Sequence, residues 1–292
     1  MEEMLDTLRD ECCIPYLDDV LCFSGSFEEH VDVLRRVLQA LQQHGVKLRP
    51  EKCELFRKEV RYVGWLVSAD GVRVDPKDVE AVQALREKTP QYVGDVRRLL
   101  GFLSYYRAYV QDFSRIARRL YKLLEVKLSS PQPKSPKVKS PQLSSCTAVE
   151  WSSEHKQTLE YLINLLTKPP VLAYPNFDQP FILHTDASQQ GLGAVLYQKQ
   201  DGKMRVIGYG SRTLTPAEQN YHLHSGKLEF LALKWAICDK FRDYLFYAPH
   251  FVVYTDNNPL TYVLSTAKLN AVGHRWVGQL ADFHFEIRYK PG

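Results

Sequence analysis

Apolar positions recur along this chain at two different periods, and the places where the period changes mark its elements. The first apolar run, Ile14 to Phe23, is interrupted by Asp18-Asp19, and two adjacent carboxylates between strand formers predict the turn of a β-hairpin. Ser26 followed by Glu29 is a capping-box pair. Phe27, Val31, Leu34, Leu38 and Leu41 then repeat at helical spacing until Gly45 stops the helix. Residues 60–74 alternate around Asp70-Gly71, a hairpin turn signal. From Pro76 to Leu124 the period is helical again. Phe113, Ile116, Ala117, Leu120 and Leu124 form an apolar stripe there, and Arg115, Arg118, Arg119 and Lys122 line another face.

Residues 129–145 (SSPQPKSPKVKSPQLSS) have almost nothing to bury and read as a flexible linker between two units. Beyond it, Phe181–Asp186 is a strand ending in acid. A second strand runs from Gly191 through Tyr197 and a third around Val206–Ser211. Residues 225–241 are predicted helical, with Leu228, Leu231, Trp235 and Cys238 as the inward stripe. Phe251–Asp256 is again a strand ending in acid, followed by a helix over about 271–282 and a last strand, Phe283–Tyr289. Strands alternating with helices predict a mixed sheet with helices packed on it.

Composition narrows the class. A chain of 292 residues suits two or three domains, and 45% hydrophobic residues can build real cores. No apolar run approaches membrane-span length. The acidic start Met1, Glu2, Glu3, Met4 lacks a signal-peptide pattern, so the chain is expected inside the cell, in cytoplasmic particles or the nucleus. Six cysteines without CxxC or Cys/His ligand spacing are expected as reduced thiols. Net charge is only +4, yet Arg86 to Lys122 holds nine Lys/Arg against Glu87, Asp95 and Asp112, a local excess of +6. Charge alone leaves both a polyanion-binding segment and a solvated helix face open.

Three acids stand apart from turn and cap residues. Asp186 and Asp256 each end an apolar strand and each follows a threonine. If those strands are parallel neighbours, their ends bring the two carboxylates together. Glu229 lies inside a helix on a face shared with Ala232, Leu233 and Ala236, where close packing rather than solvent is expected. Converging carboxylates repel unless cations neutralise them, and hard oxygen ligands suit Mg²⁺ or Mn²⁺. A pair of such ions roughly 3.5–4 Å apart can activate water and stabilise the leaving oxygen of a phosphodiester.

The segments HTDASQQGLGAVLYQ (184–198), LEFLALKWA (228–236) and YTDNNPLTYVL (254–264) resemble the acidic motifs of the ribonuclease H domain in gypsy-type retrotransposons. TKPPVLAYPNFDQPFILHTDAS (167–188) resembles that domain's entry. The resemblance implies that Asp186, Glu229 and Asp256 are catalytic metal ligands for two Mg²⁺ (or Mn²⁺) ions. Ser188 falls where such domains touch the RNA strand, and a plain turn hydroxyl fits that position equally well. YLDD (16–19) resembles the metal motif of reverse transcriptases, which implies Asp18 and Asp19 as metal ligands and Tyr16 near the primer end. EKCELFRKEVRYVGWLVSADGV (51–72) resembles the primer-gripping hairpin region, and VGDVRRLLGFLSYYRAYVQDFSRIARRLYKLL (93–124) resembles the thumb. Arg115, Arg118, Arg119 and Lys122 then read as a phosphate track.

The expectation is a multidomain α/β and α+β chain, a Pol-polyprotein piece cut at both ends. Residues 1–75 are a truncated polymerase palm and 76–125 a helical thumb. Residues 126–166 are linker or connection, and 167–292 a ribonuclease H-like mixed sheet flanked by helices. The implied function is metal-dependent cleavage of RNA in RNA–DNA hybrids beside an incomplete RNA-directed DNA polymerase. The implied partners are hybrid and primer–template nucleic acid and the rest of the polyprotein, with no membrane. The family implies a further polymerase aspartate upstream and a fourth ribonuclease H carboxylate after Gly292. The alternative is a decayed or host-retained nucleic-acid-binding remnant without catalysis.

Overall fold

A computed structural model describes residues 3–125, 143–168, 170–220, 224–262, 269 and 271–291. The chain divides into two compact units, Met1–Asp75 and Pro76–Gly292.

In the first unit, β1 (Cys13–Tyr16) and β2 (Asp19–Cys22) pair antiparallel, Tyr16 opposite Asp19, so Leu17 and Asp18 make a two-residue turn. Helix α1 (Phe27–Gln43) starts at Ser26, whose hydroxyl accepts the Glu29 N–H at 3.2 Å. The Glu29 carboxylate reaches back one residue further than a capping box requires, to the Gly25 N–H at 2.8 Å. At the other end Gly45 has φ +69°, donates to Gln42 O, and lets Val46 donate to Leu41 O. That is a Schellman stop, which needs a left-handed residue and therefore favours glycine. The buried face of α1 is Val33, Val37 and Leu41, packed with Leu5, Leu8, Cys12 and Cys13. Of the stripe expected from spacing, only Leu41 is fully buried; Phe27 is 64% and Leu38 47% exposed. The N-terminal segment covers the neighbouring side of the helix, a choice that periodicity on one helix cannot make. Each such buried Val or Leu is worth about 1.5–3 kcal/mol.

The expected single hairpin at 60–74 is a three-stranded meander of β3 (Glu59–Tyr62), β4 (Trp65–Ser68) and β5 (Gly71–Val74). Ala69-Asp70 forms its second turn. Val63 and Gly64, both at positive φ, form the first turn, which the alternation around Asp70-Gly71 does not mark. Tyr62 donates its hydroxyl to Ile14 O at 2.8 Å, tying the meander to the β1–β2 hairpin.

The second unit opens with helices α2 (Pro76–Ala84), α3 (Val93–Tyr105) and α4 (Phe113–Lys122). Phe113, Ala117 and Leu120 of the predicted stripe are fully buried, and Ile116 and Leu124 partly so. Most of the Ser/Pro-rich stretch lies outside the described residues. Its last residues lie against α3, where Arg97 donates to Leu143 O at 2.6 Å and Gly94 N donates to Ser145 O at 2.9 Å. Helix α5 (Ser153–Thr167) follows, burying Leu159, Leu162, Ile163 and Leu166 at helical spacing.

Five strands then form one sheet: β6 (Phe181–Ser188), β7 (Gly191–Gln200), β8 (Lys203–Thr213), β9 (Phe251–Thr255) and β10 (Phe285–Tyr289). Their order is β10-β9-β6-β7-β8, with β6, β7 and β8 antiparallel and β9 parallel to both β6 and β10. This is the mixed sheet that the pattern predicts. After α6 (Pro216–Asn220) comes α7 (Ser225–Trp235), which lies against β6 and buries Leu228, Leu231 and Trp235. The helix expected to run unbroken to 241 passes through a π turn, Ala236–Lys240, into α8 (Arg242–Leu245). Helix α9 (Ala271–Leu280) packs Trp276 edge-on against Phe230. Among the described residues no helix is long and apolar enough to cross a membrane.

Candidate nuclease centre and nucleic-acid interface

The parallel register decides where the two strand-end acids go. Phe181 lies opposite Phe251 and His184 opposite Tyr254, so two further steps along each strand put Asp186 level with Asp256. The preceding threonines are buried, Thr185 at 7% and Thr255 at 2% exposure. The Asn257 N–H donates to the Thr255 hydroxyl at 3.1 Å, turning the chain away just beyond Asp256. Asp186 and Asp256 are themselves exposed.

Glu229 reaches the same sheet end from α7 and is only 5% exposed. Its Oε1 accepts the Ala187 N–H at 3.2 Å, while its buried Oε2 has no hydrogen-bond partner among the described residues. Burial first, then the charges of Asp186 and Asp256, push its carboxyl up to about 7. Although its residue is exposed, the Asp186 carboxyl is partly desolvated where it meets the protein, and it is also raised, by that desolvation first, then by Asp112, then by Asp256. The three expected acids therefore face one another electrostatically. Among the described residues, however, no three His, Cys, Asp or Glu side chains close around a common point that could hold a metal ion.

Asp112 is the acid that sequence reasoning missed. It precedes α4 in the left-handed region (φ +55°) and makes no capping bond with its side chain. Arg115 holds it instead, at 2.7 Å. Opposite it sits Gly193, the β7 partner of Asp186, where a Cβ would lie 3.0 Å from Asp112 Oδ1. A side chain at that position would crowd the Asp112 carboxylate. The docking that brings Asp112 there is polar and buried: Ser114 N donates to Ser211 Oγ at 3.0 Å, Ser211 Oγ donates to Ser114 Oγ at 3.2 Å, and Arg107 donates to Ser211 O. A lone aspartate before a helix reads as a cap, so nothing in the sequence separates Asp112 from ordinary N-caps.

Ser188 closes the β6–β7 turn, donating to Gly191 O at 3.4 Å and accepting from Gln190 N at 3.2 Å. It also lines a small cleft with Asp186, Asp112, Arg115 and Arg212. On α4, Arg115 pairs with Asp112 and Arg119 with Glu154 (3.6 Å), while Arg118 is half-buried and Lys122 exposed. In the first unit, Tyr16 (50% exposed), Asp18 and Asp19 present the tip of the β1–β2 hairpin to solvent.

Residues 176–283 match the family described as the RNase H-like domain found in reverse transcriptase, and residues 1–67 match reverse transcriptase (RNA-dependent DNA polymerase). The chain is 35% identical over 290 residues to the retrovirus-related Pol polyprotein from transposon opus and 36% identical over 291 residues to that from transposon gypsy, both of Drosophila melanogaster. Each alignment covers 98% of this chain. The chain belongs to the Pol-polyprotein family of gypsy-type transposons. It spans 28% and 26% of the length of these two Pol relatives. The fold is that of retroviral reverse transcriptases: a foamy viral protease-reverse transcriptase in complex with double-stranded DNA superposes with a TM-score of 0.79 at 20% identity, over 100% of this chain and 48% of that one. A second foamy viral structure, in complex with an RNA/DNA hybrid, superposes with a TM-score of 0.77 over 99% of this chain and 36% of that one. Within the Pol family match, Asp186, Glu229 and Asp256 all fall in the RNase H-like segment, and Tyr16, Asp18 and Asp19 in the reverse transcriptase segment.

Proposed function

We propose that the RNase H-like part of this chain hydrolyses the RNA strand of RNA–DNA hybrids in the presence of Mg²⁺ or Mn²⁺. Asp186, Glu229 and Asp256 would hold the ions, and the YLDD hairpin, with Asp18 and Asp19, would belong to an RNA-directed polymerase site. The observation that carries the reading is Glu229. A helix-borne glutamate is buried to 5% exposure with one oxygen unpartnered, facing two more carboxylates. Burying a polar atom without a partner costs roughly 1–3 kcal/mol, and a divalent cation would repay it. The donor set is three carboxylates, the hard oxygens that Mg²⁺ and Mn²⁺ prefer. Asp186 and Asp256 are exposed, so packing does not lock their rotamers.

Bound there, the ions would lower the pKa of water and stabilise the leaving oxygen. The chain's own residues do the rest. The Ala187 N–H orients the Glu229 carboxylate, and the buried threonines before Asp186 and Asp256 set the ends from which those acids project. Ser188, which lines the small cleft beside Asp186, would contact the RNA strand. The test is hydrolysis of labelled RNA in a hybrid, with Mg²⁺ and with EDTA. Asp186→Asn, Glu229→Gln and Asp256→Asn are each expected to abolish cleavage with unchanged circular dichroism, and persistent cleavage in Asp186→Asn would refute the assignment. The second reading is nucleic-acid binding without catalysis. It predicts hybrid binding with no Mg²⁺-dependent cleavage by the wild type.

A further inference from the structure

Beside the acidic cleft, a groove of about 690 Å³ opens where α4, α5 and β8 meet. Asp112 and Arg115 line both spaces, so the groove runs up to the cleft that contains Asp186. Its walls carry the exposed ring of Tyr161, with half-buried Tyr209 and buried Tyr109 deeper in, and two cations, Arg115 and Lys168. Tyr161 is 54% exposed on α5. The one acid of the lining, Asp112, is already paired with Arg115.

Rings with cations beside them are the chemistry that binds single-stranded nucleic acid: bases stack on the rings and the backbone follows the charge. A paired duplex keeps its bases stacked on each other and offers a groove of this kind only phosphates. From this lining, and resting on the nucleic-acid reading above, we propose that the groove binds an unpaired RNA or DNA segment next to the Asp186 cleft. Tyr161 would be the stacking platform and Lys168 a phosphate contact.

The experiment uses the full chain and fluorescence anisotropy with labelled 12-nucleotide U-tract RNA, T-tract DNA and a blunt RNA–DNA hybrid. Tyr161→Ala should weaken single-strand binding about five-fold or more, the equivalent of one lost base stack. Tyr161→Phe, which keeps the ring, should bind as wild type, and Lys168→Gln should flatten the single-strand salt slope by about 0.7. Hybrid binding should change less than single-strand binding in both variants, and unfolding midpoints should confirm that each folds. The RNA and DNA arms show which strand is preferred. If hybrid binds but neither Tyr161→Ala nor Lys168→Gln alters single-strand binding, the groove assignment is overturned and the hybrid reading stands. If the wild type binds neither ligand, both fall.

Discussion

At the scale of single residues, the chemistry turns on how burial and neighbouring charge treat identical carboxyl groups. Asp186, near the end of β6, and Asp256, just past the end of the parallel β9, are exposed, whereas Glu229 is held in the interior by one backbone N–H. Its carboxyl is raised from 4.5 to about 7, so between those values the folded chain holds a proton that the unfolded chain has lost. Without metal, stability should therefore fall as pH rises from about 4.5 to about 7 and stay lower above that. At 1.36 kcal/mol per pKa unit the ceiling is about 3 kcal/mol. Urea midpoints in EDTA at pH 5 and pH 8 check this: Glu229→Gln should lose the extra drop, and at pH 8 it should be more stable than the wild type. Equal pH dependence in the two proteins would mean that Glu229 titrates as an ordinary surface acid. The three acids could be picked out from residue type and position, because a glutamate among Ala232, Leu233 and Ala236 has no solvent to face. Asp112 could not be, because its partner Gly193 lies on a strand far along the chain.

At the scale of elements, local signals placed most starts and stops. Ser26 and Gly45 bound α1, the YLDD hairpin turns at Leu17-Asp18, one residue before the expected Asp18-Asp19, and the strands carrying the candidate acids start where expected, although β6 runs on past Asp186 to Ser188. Spacing failed where an element had two usable faces. Helix α1 offered one apolar stripe through Phe27 and Leu38 and another through Val33 and Val37, and the Leu5–Leu8 segment covers the second. The docking of α4 on β8 was equally illegible, since it rests on one serine from each element. Ser211→Ala removes the acceptor of a buried N–H, so it should cost about 1–3 kcal/mol of stability. A urea midpoint indistinguishable from wild type would mean that the Ser114–Ser211 contact contributes nothing to holding α4 in place.

At the scale of the whole molecule, charge is what a polyanion meets first. Nine basic residues against three acids lie between Arg86 and Lys122 in a chain of net charge +4. Replacing Arg115, Arg118 and Arg119 together with Gln should flatten the plot of log affinity against log salt for hybrid by about 2–3 units if each meets a phosphate. Because Arg115 and Arg119 already pair with Asp112 and Glu154, phosphate must displace those acids. A drop nearer one unit would leave Arg118 as the sole contact among the three, and no drop would return the stripe to a solvated face. What the sequence determined by itself was whatever is encoded within one element: period, caps, turns, and the acids at strand ends, since these depend on near neighbours along the chain. The parallel pairing of β6 with β9, the choice of α1 face and the arrival of Asp112 beside Asp186 were decided only by tertiary structure. Each depends on a surface contributed by residues tens of positions away, and no local period carries that information.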